Sequence, residues 1–351
     1  MIHPEIHPDP DPCGPDGAAS EEQEQGQEQE QAQELMEVRL EVHAMYDGWR
    51  LDQFIKARIP RLSRSRIQKM IHSQQRLAGR TLRPAQRVRY RDHVLLLRPA
   101  PVEPDVPRSF EVLYADRRVV AIAKPAGLPV HSTARFHKNT LTAVLREAYA
   151  PAPPPVLAHR LDRETSGLLL LGATNASATL LKALFRQRRV HKRYLALVLG
   201  EASPLEQVIE LPLGPDQTCG IRIKMAVDRR GRPALTRYRA LETRGGISLV
   251  EAFPETGRQH QIRAHLSAVG LPLVGDKIYG PDPDCWLEYL ETGWTPQLQQ
   301  RLLLPRHALH AADCTFPHPD TGESLHLSCP LAADLREFWD GLAQTDGTRD
   351  P

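Results

Sequence analysis

Residues 159–167, His-Arg-Leu-Asp-Arg-Glu-Thr-Ser-Gly, lead directly into four consecutive leucines at residues 168–171. A short, bounded apolar run of this kind predicts a buried strand, which places Asp162 in a loop at the edge of that strand. Arg160 and Arg163 flank Asp162, and opposite charge keeps a carboxylate ionised at neutral pH. Asp162 is then available as a nucleophile or base, although an isolated aspartate between arginines more often forms a surface salt bridge.

Length and composition exclude several classes of protein. The 351 residues, 25% of them charged, are enough for one sizeable core and a smaller module. Because no apolar run reaches about eighteen residues, we expect no membrane span. Residues 1–5 lack the basic and apolar regions of a signal peptide, so we expect a cytoplasmic protein. The cysteines form no Cys-x-x-Cys pair, which favours reduced thiols over a disulfide framework or a zinc site: Cys13, Cys219, Cys285, Cys314 and Cys329.

The charge is distributed unevenly along the chain. Residues 1–36 carry ten Asp/Glu and no Lys or Arg, whereas residues 37–100 carry fifteen Lys/Arg against five Asp/Glu. The acidic segment is rich in Pro, Glu and Gln and has few apolar groups, so we expect a disordered tail. The basic block is the electrostatic pattern of a nucleic-acid partner.

Two helices are predicted in this basic block. Hydrophobic residues recur at three- and four-residue spacing over residues 51–59, up to Pro60, as in an amphipathic helix. Ser63 has the position of an N-cap for a second helix, whose inward face carries Ile67 and Ile71. Three cations fall off that face and point to solvent or to a phosphate backbone: Arg64, Arg66 and Lys69.

Two helices followed by the strand-like residues 94–97 resemble the small α/β RNA-binding domain first described in ribosomal protein S-four. Residues 50–54, Arg-Leu-Asp-Gln-Phe, and residues 62–67, Leu-Ser-Arg-Ser-Arg-Ile, carry this resemblance. The sequence departs from the family at residues 75–80, Gln-Arg-Leu-Ala-Gly-Arg, where a Val-x-Val-Asn-Gly type of turn is usual.

Composition shifts predict five segments. A disordered acidic tail at 1–36 precedes the S-four-type RNA-binding domain at 37–100. Prolines dominate the next residues, which indicates a stiff, extended linker at 101–108. A catalytic domain at 109–340 and a disordered tail at 341–351 complete the chain.

The second domain mixes strand and helix patterns, which indicates an α+β fold. Strands are predicted at residues 110–114, 119–123, 168–171, 194–198 and 234–238. Helices are predicted after an N-cap at Asn175, around Ile262, through an added excursion at 282–304 and around Trp339. His260 and His265 are five residues apart and so lie on different helix faces, which argues against a zinc pair.

Several strings in the second domain resemble, in order, those of the RluA family of RNA pseudouridine synthases. The strings lie at residues 124–131, 159–167, 192–194 and 256–266, with family-like sequences also at 275–280 and 306–310. The string at 159–167 resembles the catalytic signature of the family. The resemblance implies a pseudouridine synthase fold, with a large, mixed, mostly antiparallel sheet, flanking helices and a cleft that holds the catalytic aspartate. It also implies isomerisation of uridine to pseudouridine in structured RNA.

The same resemblance implies roles for individual residues. Asp162 is expected to be the catalytic nucleophile or base, with Arg263 paired to it. Tyr194 is expected to stack on the uracil and to handle the ring-carbon proton, and Ile262 to contact the base. Further substrate contacts are expected from four cations: Arg160, Arg163, Arg258 and Lys192.

The reaction gains and loses no group, so we expect no cofactor and no metal. Asp162 could trap or assist the detached sugar or remove a proton from it, and the sequence leaves this choice open. A hydrolase would need a second carboxylate. We expect a monomer whose partner is RNA, most simply large-subunit ribosomal RNA. Transfer RNA is the alternative substrate, and a non-catalytic RNA-binding or ribosome-assembly protein is the alternative function.

Overall fold

The computed structural model describes residues 35–60, 62–73, 82–99, 103–133, 136–282 and 284–345. Backbone contacts divide the chain into two units, residues 1–102 and 103–351. The predicted acidic tail lies outside the described residues except for its last two, which are in a strand. None of the described helices is both long and apolar enough to cross a membrane.

The first unit combines two helices with a two-stranded antiparallel sheet. The strands are β1 (Leu35–Glu41) and β2 (His93–Pro99), and the helices are α1 (Leu51–Arg58) and α2 (Arg64–Ser73). Their apolar faces meet in one small core, which includes Leu51, Phe54, Ile55, Ile67 and Ile71. The Ser63 hydroxyl accepts the backbone N–H of Arg66 at 3.3 Å, which confirms the predicted N-cap. The residues where the S-four resemblance departs lie largely outside the described part of the chain.

The second unit is built on one large sheet. Its strands are β3 (Glu111–Ala115), β4 (Val119–Lys124), β5 (Val156–Leu157), β6 (Ser166–Gly172), β7 (His191–Leu199), β8 (Gln207–Glu210), β11 (Leu235–Arg244), β12 (Ile247–Pro254), β13 (Leu309–Pro317) and β14 (Ser324–Ser328). The main order is β3-β4-β6-β13-β7-β12-β11-β8, with β5 on β6 and β14 on β13. Only β6 and β13 pair in parallel, so the predicted mixed, mostly antiparallel sheet is confirmed.

Helices and a small second sheet flank this large sheet. The helices are α3 (Leu141–Tyr149), α4 (Asn175–Arg186), α5 (Gln261–Ala268), α6 (Cys285–Thr292), α7 (Pro296–Leu302) and α8 (Ala333–Thr345). The small sheet pairs β9 (Leu213–Pro215) with β10 (Met225–Val227). The predicted excursion at 282–304 is helical, as α6 and α7.

The leucine run is the buried strand that the sequence predicts. Every residue of β6 is buried, because β4 and β13 cover its two edges and apolar side chains cover both faces. Gly167 pairs with Ala311 of β13, and its φ of +103° is a conformation that favours glycine. A Cβ at this position would lie 2.2 Å from the Ala311 carbonyl oxygen. Because Gly167 has no side chain, β13 can pair with the start of β6, next to the loop that carries Asp162.

The structure differs from the sequence-based boundaries at three places. The N-cap of α4 is Thr174, not Asn175, because the extended backbone of Thr174 lets its hydroxyl accept the Ser177 N–H at 3.2 Å. Helix α8 continues to Thr345, past the predicted end of the domain at 340, because no proline interrupts it. The linker prediction included Glu103, but the Glu103 carboxylate accepts the backbone N–H of Asn139 at 2.8 Å and so anchors to the second unit.

We expect Gly167→Ala to lower the free energy of unfolding by more than about 2 kcal/mol, because the new methyl group must push β6 away from β13. The control is Gly220→Ala, since a Cβ there meets nothing within 4 Å and the backbone is outside the left-handed region. The control should change the free energy by less than about 0.5 kcal/mol. Urea titration followed by tryptophan fluorescence measures both, and equal midpoints would contradict the close approach.

Candidate active site

One pocket of about 680 Å³ lies in the second unit. The loop before β6, the end of α4, the start of β7 and the first turn of α5 supply its walls. Seven of the eight predicted catalytic and substrate-binding residues line it: Arg160, Asp162, Lys192, Tyr194, Arg258, Ile262 and Arg263. The eighth, Arg163, does not line the pocket.

Asp162 is paired with a residue far away in the sequence. Arg263 Nη1 donates to Asp162 Oδ2 at 3.0 Å, across 101 residues of chain. The first turn of α5 brings Arg263 to the pocket, and the Arg263 side chain is only 5% exposed, against 21% for the Asp162 side chain. Asp162 therefore combines a charged partner with an open face toward the pocket.

A second carboxylate holds the other edge of the same guanidinium. Arg263 Nε and Nη2 donate to Asp276 Oδ2 and Oδ1 at 2.7 and 2.8 Å. Burial alone would raise the pKa of Asp276, but the Arg263 charge and hydrogen bonds hold it well below its usual range. Likewise, burial would lower the pKa of Arg263, and Asp276 and then Asp162 raise it. Arg263 and Asp276 are therefore both charged at neutral pH.

Asp276 is itself fixed by the backbone. Its Oδ1 accepts the N–H groups of Ile278 and Tyr279, both at 3.0 Å, in a tight turn that begins at Gly275. Gly275 has a φ of +76°, and a Cβ there would lie 1.9 Å from the Arg306 carbonyl oxygen. Sequence reasoning marked residues 275–280 as family-like but assigned Asp276 no role.

Arg160 and Arg163 flank Asp162 in the sequence, but neither forms an ion pair with it within the described residues. Arg163 Nη2 donates to Glu164 at 2.8 Å, and its guanidinium lies 5.7 Å from the centre of the Phe136 ring. Arg163 does not line the pocket, unlike the three residues that precede it. Arg160 does line the pocket, as an exposed residue.

Tyr194 and Lys192 alternate along β7 and both line the pocket. Burial, followed by the Asp162 charge, raises the pKa of Tyr194 above its usual range, so the phenol keeps its proton at neutral pH. Burial lowers the pKa of Lys192 to about 8. The Lys192 amine is therefore mostly charged at neutral pH, but its pKa lies close to neutral pH.

His260 is a pocket residue that sequence reasoning considered only as a metal ligand. It caps α5 in the left-handed conformation, with φ 54°. Its Nε2 lies 3.9 Å from Asp162 Oδ2, and its Nδ1 lies 2.9 Å from the Tyr279 hydroxyl. Burial lowers the pKa of His260 to about 4, which leaves the ring neutral at neutral pH. His265 points elsewhere and bonds Thr236 and the Leu211 carbonyl.

Buried polar contacts fasten the loop that carries Asp162. Lys124 Nζ donates to the carbonyls of Pro125, Leu128 and Arg163, at 2.7, 3.0 and 3.1 Å. On the other side, Lys277 donates to the Glu164 carboxylate at 3.2 Å. The string at 124–131 therefore has a structural part in the site. Neither lysine lines the pocket, so each acts through the loop.

Cations at the pocket differ from other arginines of the second unit in their partners. Within the described residues, Arg160, Arg186, Arg188 and Arg258 line the pocket without an ion pair to a carboxylate. By contrast, Arg193 donates to Glu251 at 2.8 Å and also bonds Asp313. Burial and the nearby charges of Arg232 and Arg188 lower the pKa of Arg258. Such a cluster of like charges suits an anionic ligand.

The two carboxylates on Arg263 should respond differently to the same substitution. In Asp276→Asn the new amide N–H faces Arg263 Nε–H inside the core, so we expect a loss of about 3 kcal/mol in the free energy of unfolding. Asp162→Asn leaves the bidentate pair intact and should cost less than about 1 kcal/mol. Urea unfolding at pH 7 compares the variants, and equal losses would contradict the asymmetry between the two carboxylates.

Comparisons with known proteins agree with the fold. A family model for RNA pseudouridylate synthase matches residues 118–268. The chain is 33% identical to the ribosomal large subunit pseudouridine synthase D of Zymomonas mobilis, over 82% of this chain and 92% of that protein. It is 36% identical to the protein of the same name in Xanthomonas campestris, over 85% and 90% of the two chains.

A solved structure is also similar to this chain. Human RNA Pseudouridylate Synthase Domain Containing 4 superposes with a TM-score of 0.53 and 29% identity, over 66% of this chain and 92% of that chain. This likeness confirms the predicted pseudouridine synthase fold. The chain belongs to the family of RNA pseudouridine synthases.

Proposed function

We propose that this chain isomerises a uridine of large-subunit ribosomal RNA, with Asp162 as the catalytic carboxylate. The observation that carries the proposal is the contact of Asp162 with the buried Arg263 at 3.0 Å, while the Asp162 side chain remains 21% exposed in the pocket. A carboxylate oriented by a buried arginine, yet open to a ligand, has what a nucleophile or base requires.

The chemistry rearranges bonds within one nucleotide. The bond from ribose C1′ to uracil N1 breaks, the base turns, and C1′ bonds to C5, while C5 loses a proton and N1 gains one. Asp162 acts on the sugar, as nucleophile or base, and Arg263 holds it in place through its hydrogen bond. The neutral phenol of Tyr194 stacks on the uracil and exchanges a proton with the ring. Ile262, 5% exposed in the pocket wall, contacts the base.

The target uridine has to leave its stack in folded RNA before it can enter the pocket, at a cost of a few kcal/mol. The arginines at the pocket that have no carboxylate partner are placed to bind the phosphates on either side of that nucleotide. Two of these arginines, Arg160 and Arg258, were predicted from the sequence to contact the substrate. Arg186 and Arg188 line the same pocket and are added to them. Phosphate contacts of this kind offset part of the flipping cost.

The relatives favour ribosomal RNA over transfer RNA as the substrate. The named proteins of Zymomonas mobilis and Xanthomonas campestris act on the large ribosomal subunit by their names, and this chain spans about nine-tenths of each. Mapping pseudouridine in all RNAs from cells with and without the gene tests the proposal. A missing site in large-subunit rRNA is expected, and a missing site in tRNA alone would replace the proposed substrate.

The first unit is proposed to be an S-four-type RNA-binding domain at residues 37–100. Helices α1 and α2, packed on a small sheet, agree with the resemblance, and Arg64, Arg66 and Lys69 are exposed on α2. The proposal also includes a monomeric state and a cytoplasmic location.

Asp162→Asn should reduce isomerisation by roughly a thousandfold or more and leave RNA affinity within about twofold, because the change is isosteric but removes the reacting charge. Release of tritium from uracil C5 measures turnover, and filter binding measures affinity. Turnover within about tenfold of the parent would exclude Asp162 as the catalytic group.

Joint replacement of Arg64, Arg66 and Lys69 by alanine should weaken RNA binding and make it less sensitive to salt. If each cation neutralises a phosphate, the slope of log affinity against log salt falls by about one unit per residue. The matched control replaces three exposed arginines outside the pocket, Arg117, Arg146 and Arg336. Equal slopes for both variants would show that the charges on α2 have no special part in RNA binding.

A further inference from the structure

Tyr279 and His260 form a hydrogen-bonded pair at the pocket. The Tyr279 hydroxyl accepts the backbone N–H of Met225, on β10, at 2.7 Å, and lies 2.9 Å from His260 Nδ1. The Tyr279 ring also lies 5.0 Å below the Arg263 guanidinium. Tyr279 therefore touches both Arg263 and His260, the two groups of α5 that face Asp162.

These contacts fix the tautomer of His260. Burial raises the pKa of Tyr279, so the phenol keeps its proton at neutral pH. The Met225 N–H occupies an acceptor site of the hydroxyl, and within the described residues His260 Nδ1 lies at hydrogen-bond distance to accept the phenol proton. The opposite tautomer would leave a buried hydroxyl proton without a partner, which is costly. Nδ1 is then an acceptor, and Nε2 carries the ring proton.

A donor and an acceptor consequently face each other across a gap in the pocket. His260 Nε2–H and Asp162 Oδ2 are 3.9 Å apart, which is too far for a direct hydrogen bond. One oxygen atom about 2.8 Å from both could bridge them, provided that it accepts from His260 and donates to Asp162. A carbonyl oxygen fails this requirement because it cannot donate, and it would be repelled by the carboxylate.

Few groups of a uridine within RNA meet this requirement. Uracil O2 and O4 only accept, and N3–H only donates. The ribose 3′ oxygen is esterified in the chain. The 2′-hydroxyl both donates and accepts, and it is the group that distinguishes RNA from DNA.

We propose that His260 and Asp162 together bind the 2′-hydroxyl of the target uridine, with His260 Nε2 donating and Asp162 accepting. This inference rests on the proposed function and adds a substrate-contacting residue to it. The contact fixes the sugar beside the carboxylate that acts on it. It also makes the pocket select ribose over deoxyribose at the target position.

The test pairs a protein change with a substrate change. His260→Asn removes the Nε2 donor, and its short amide suits both the left-handed backbone and the bond to Tyr279. The substrates are two copies of one RNA, with uridine or 2′-deoxyuridine at the target position only. For each of the four combinations of protein and RNA, single-turnover kinetics give kcat/KM and competition binding gives Kd. If the deoxy RNA is not turned over, the comparison is made with Kd.

His260→Asn should reduce the measured constant by about tenfold, the effect of one lost hydrogen bond, and the deoxy substrate, which loses the contacts to both His260 and Asp162, should reduce it by more. Both changes together should cause no loss beyond that of the deoxy substrate alone, because His260→Asn removes a contact that this substrate already lacks. His260→Gln, whose longer amide can place an N–H closer to Nε2, should recover part of the loss on the ribose substrate. Tyr279→Phe removes the hydroxyl that selects the His260 tautomer. It should therefore give a smaller loss, again on the ribose substrate alone.

One outcome overturns the inference: the losses from His260→Asn and from the deoxy substrate multiply, so that the His260→Asn protein discriminates between the two substrates as well as the parent does. If His260→Asn does not fold, the Tyr279→Phe comparison decides by the same criterion. Failure of the parent protein to form pseudouridine in any RNA would instead overturn the proposed function, so the two failures are distinct.

Discussion

The guanidinium of Arg263 between two carboxylates is the interaction on which the site depends. Charges are costly to bury, and this one is tolerated because Asp276 binds two of its nitrogens and Asp162 a third. The arrangement is unequal, since Asp276 has no exposed surface and takes two further backbone N–H bonds. Asp276 therefore stabilises Arg263, and Asp162 keeps lone pairs free for a ligand.

The large sheet helps to fix the positions of Asp162 and Arg263 relative to each other. The Asp162 loop precedes β6, and Gly167 at the start of β6 allows the parallel contact with β13. Lys124 and Lys277 fasten the same loop from either side. Lys277 also lies 5.0 Å from the centre of the Tyr289 ring, so helix α6 of the excursion packs behind the loop. A reacting group has to be positioned within a fraction of an ångström, and such supporting contacts supply that accuracy.

The arginines that line the pocket and other arginines of the second unit differ in whether they pair with a carboxylate. Arg193, Arg237 and Arg306 are bound to carboxylates, whereas the arginines that line the pocket beside Arg263 have no such partner in the described residues. An arginine held by a carboxylate has its donors occupied, and an unpaired arginine can bind a phosphate in both of its donor directions. Binding of RNA at the pocket therefore does not require the breaking of ion pairs within the protein.

The sequence by itself determined the local features. The leucines of β6, the helical spacing in α1 and α2, the Ser63 cap and the loop position of Asp162 all follow from periodicity and capping, which act over a few residues. Family-like strings also identified Asp162, Tyr194 and Arg263 as a set, because those strings are specific in order and composition.

Only the tertiary structure decided which groups meet. It paired Asp162 with Arg263 across 101 residues, turned Arg163 toward Glu164, and brought Asp276 and Tyr279 to the site. It also placed the Tyr279 hydroxyl 2.9 Å from His260 Nδ1. Contacts of this kind depend on strand register and on the direction of side chains in loops, and no short-range pattern encodes either of these.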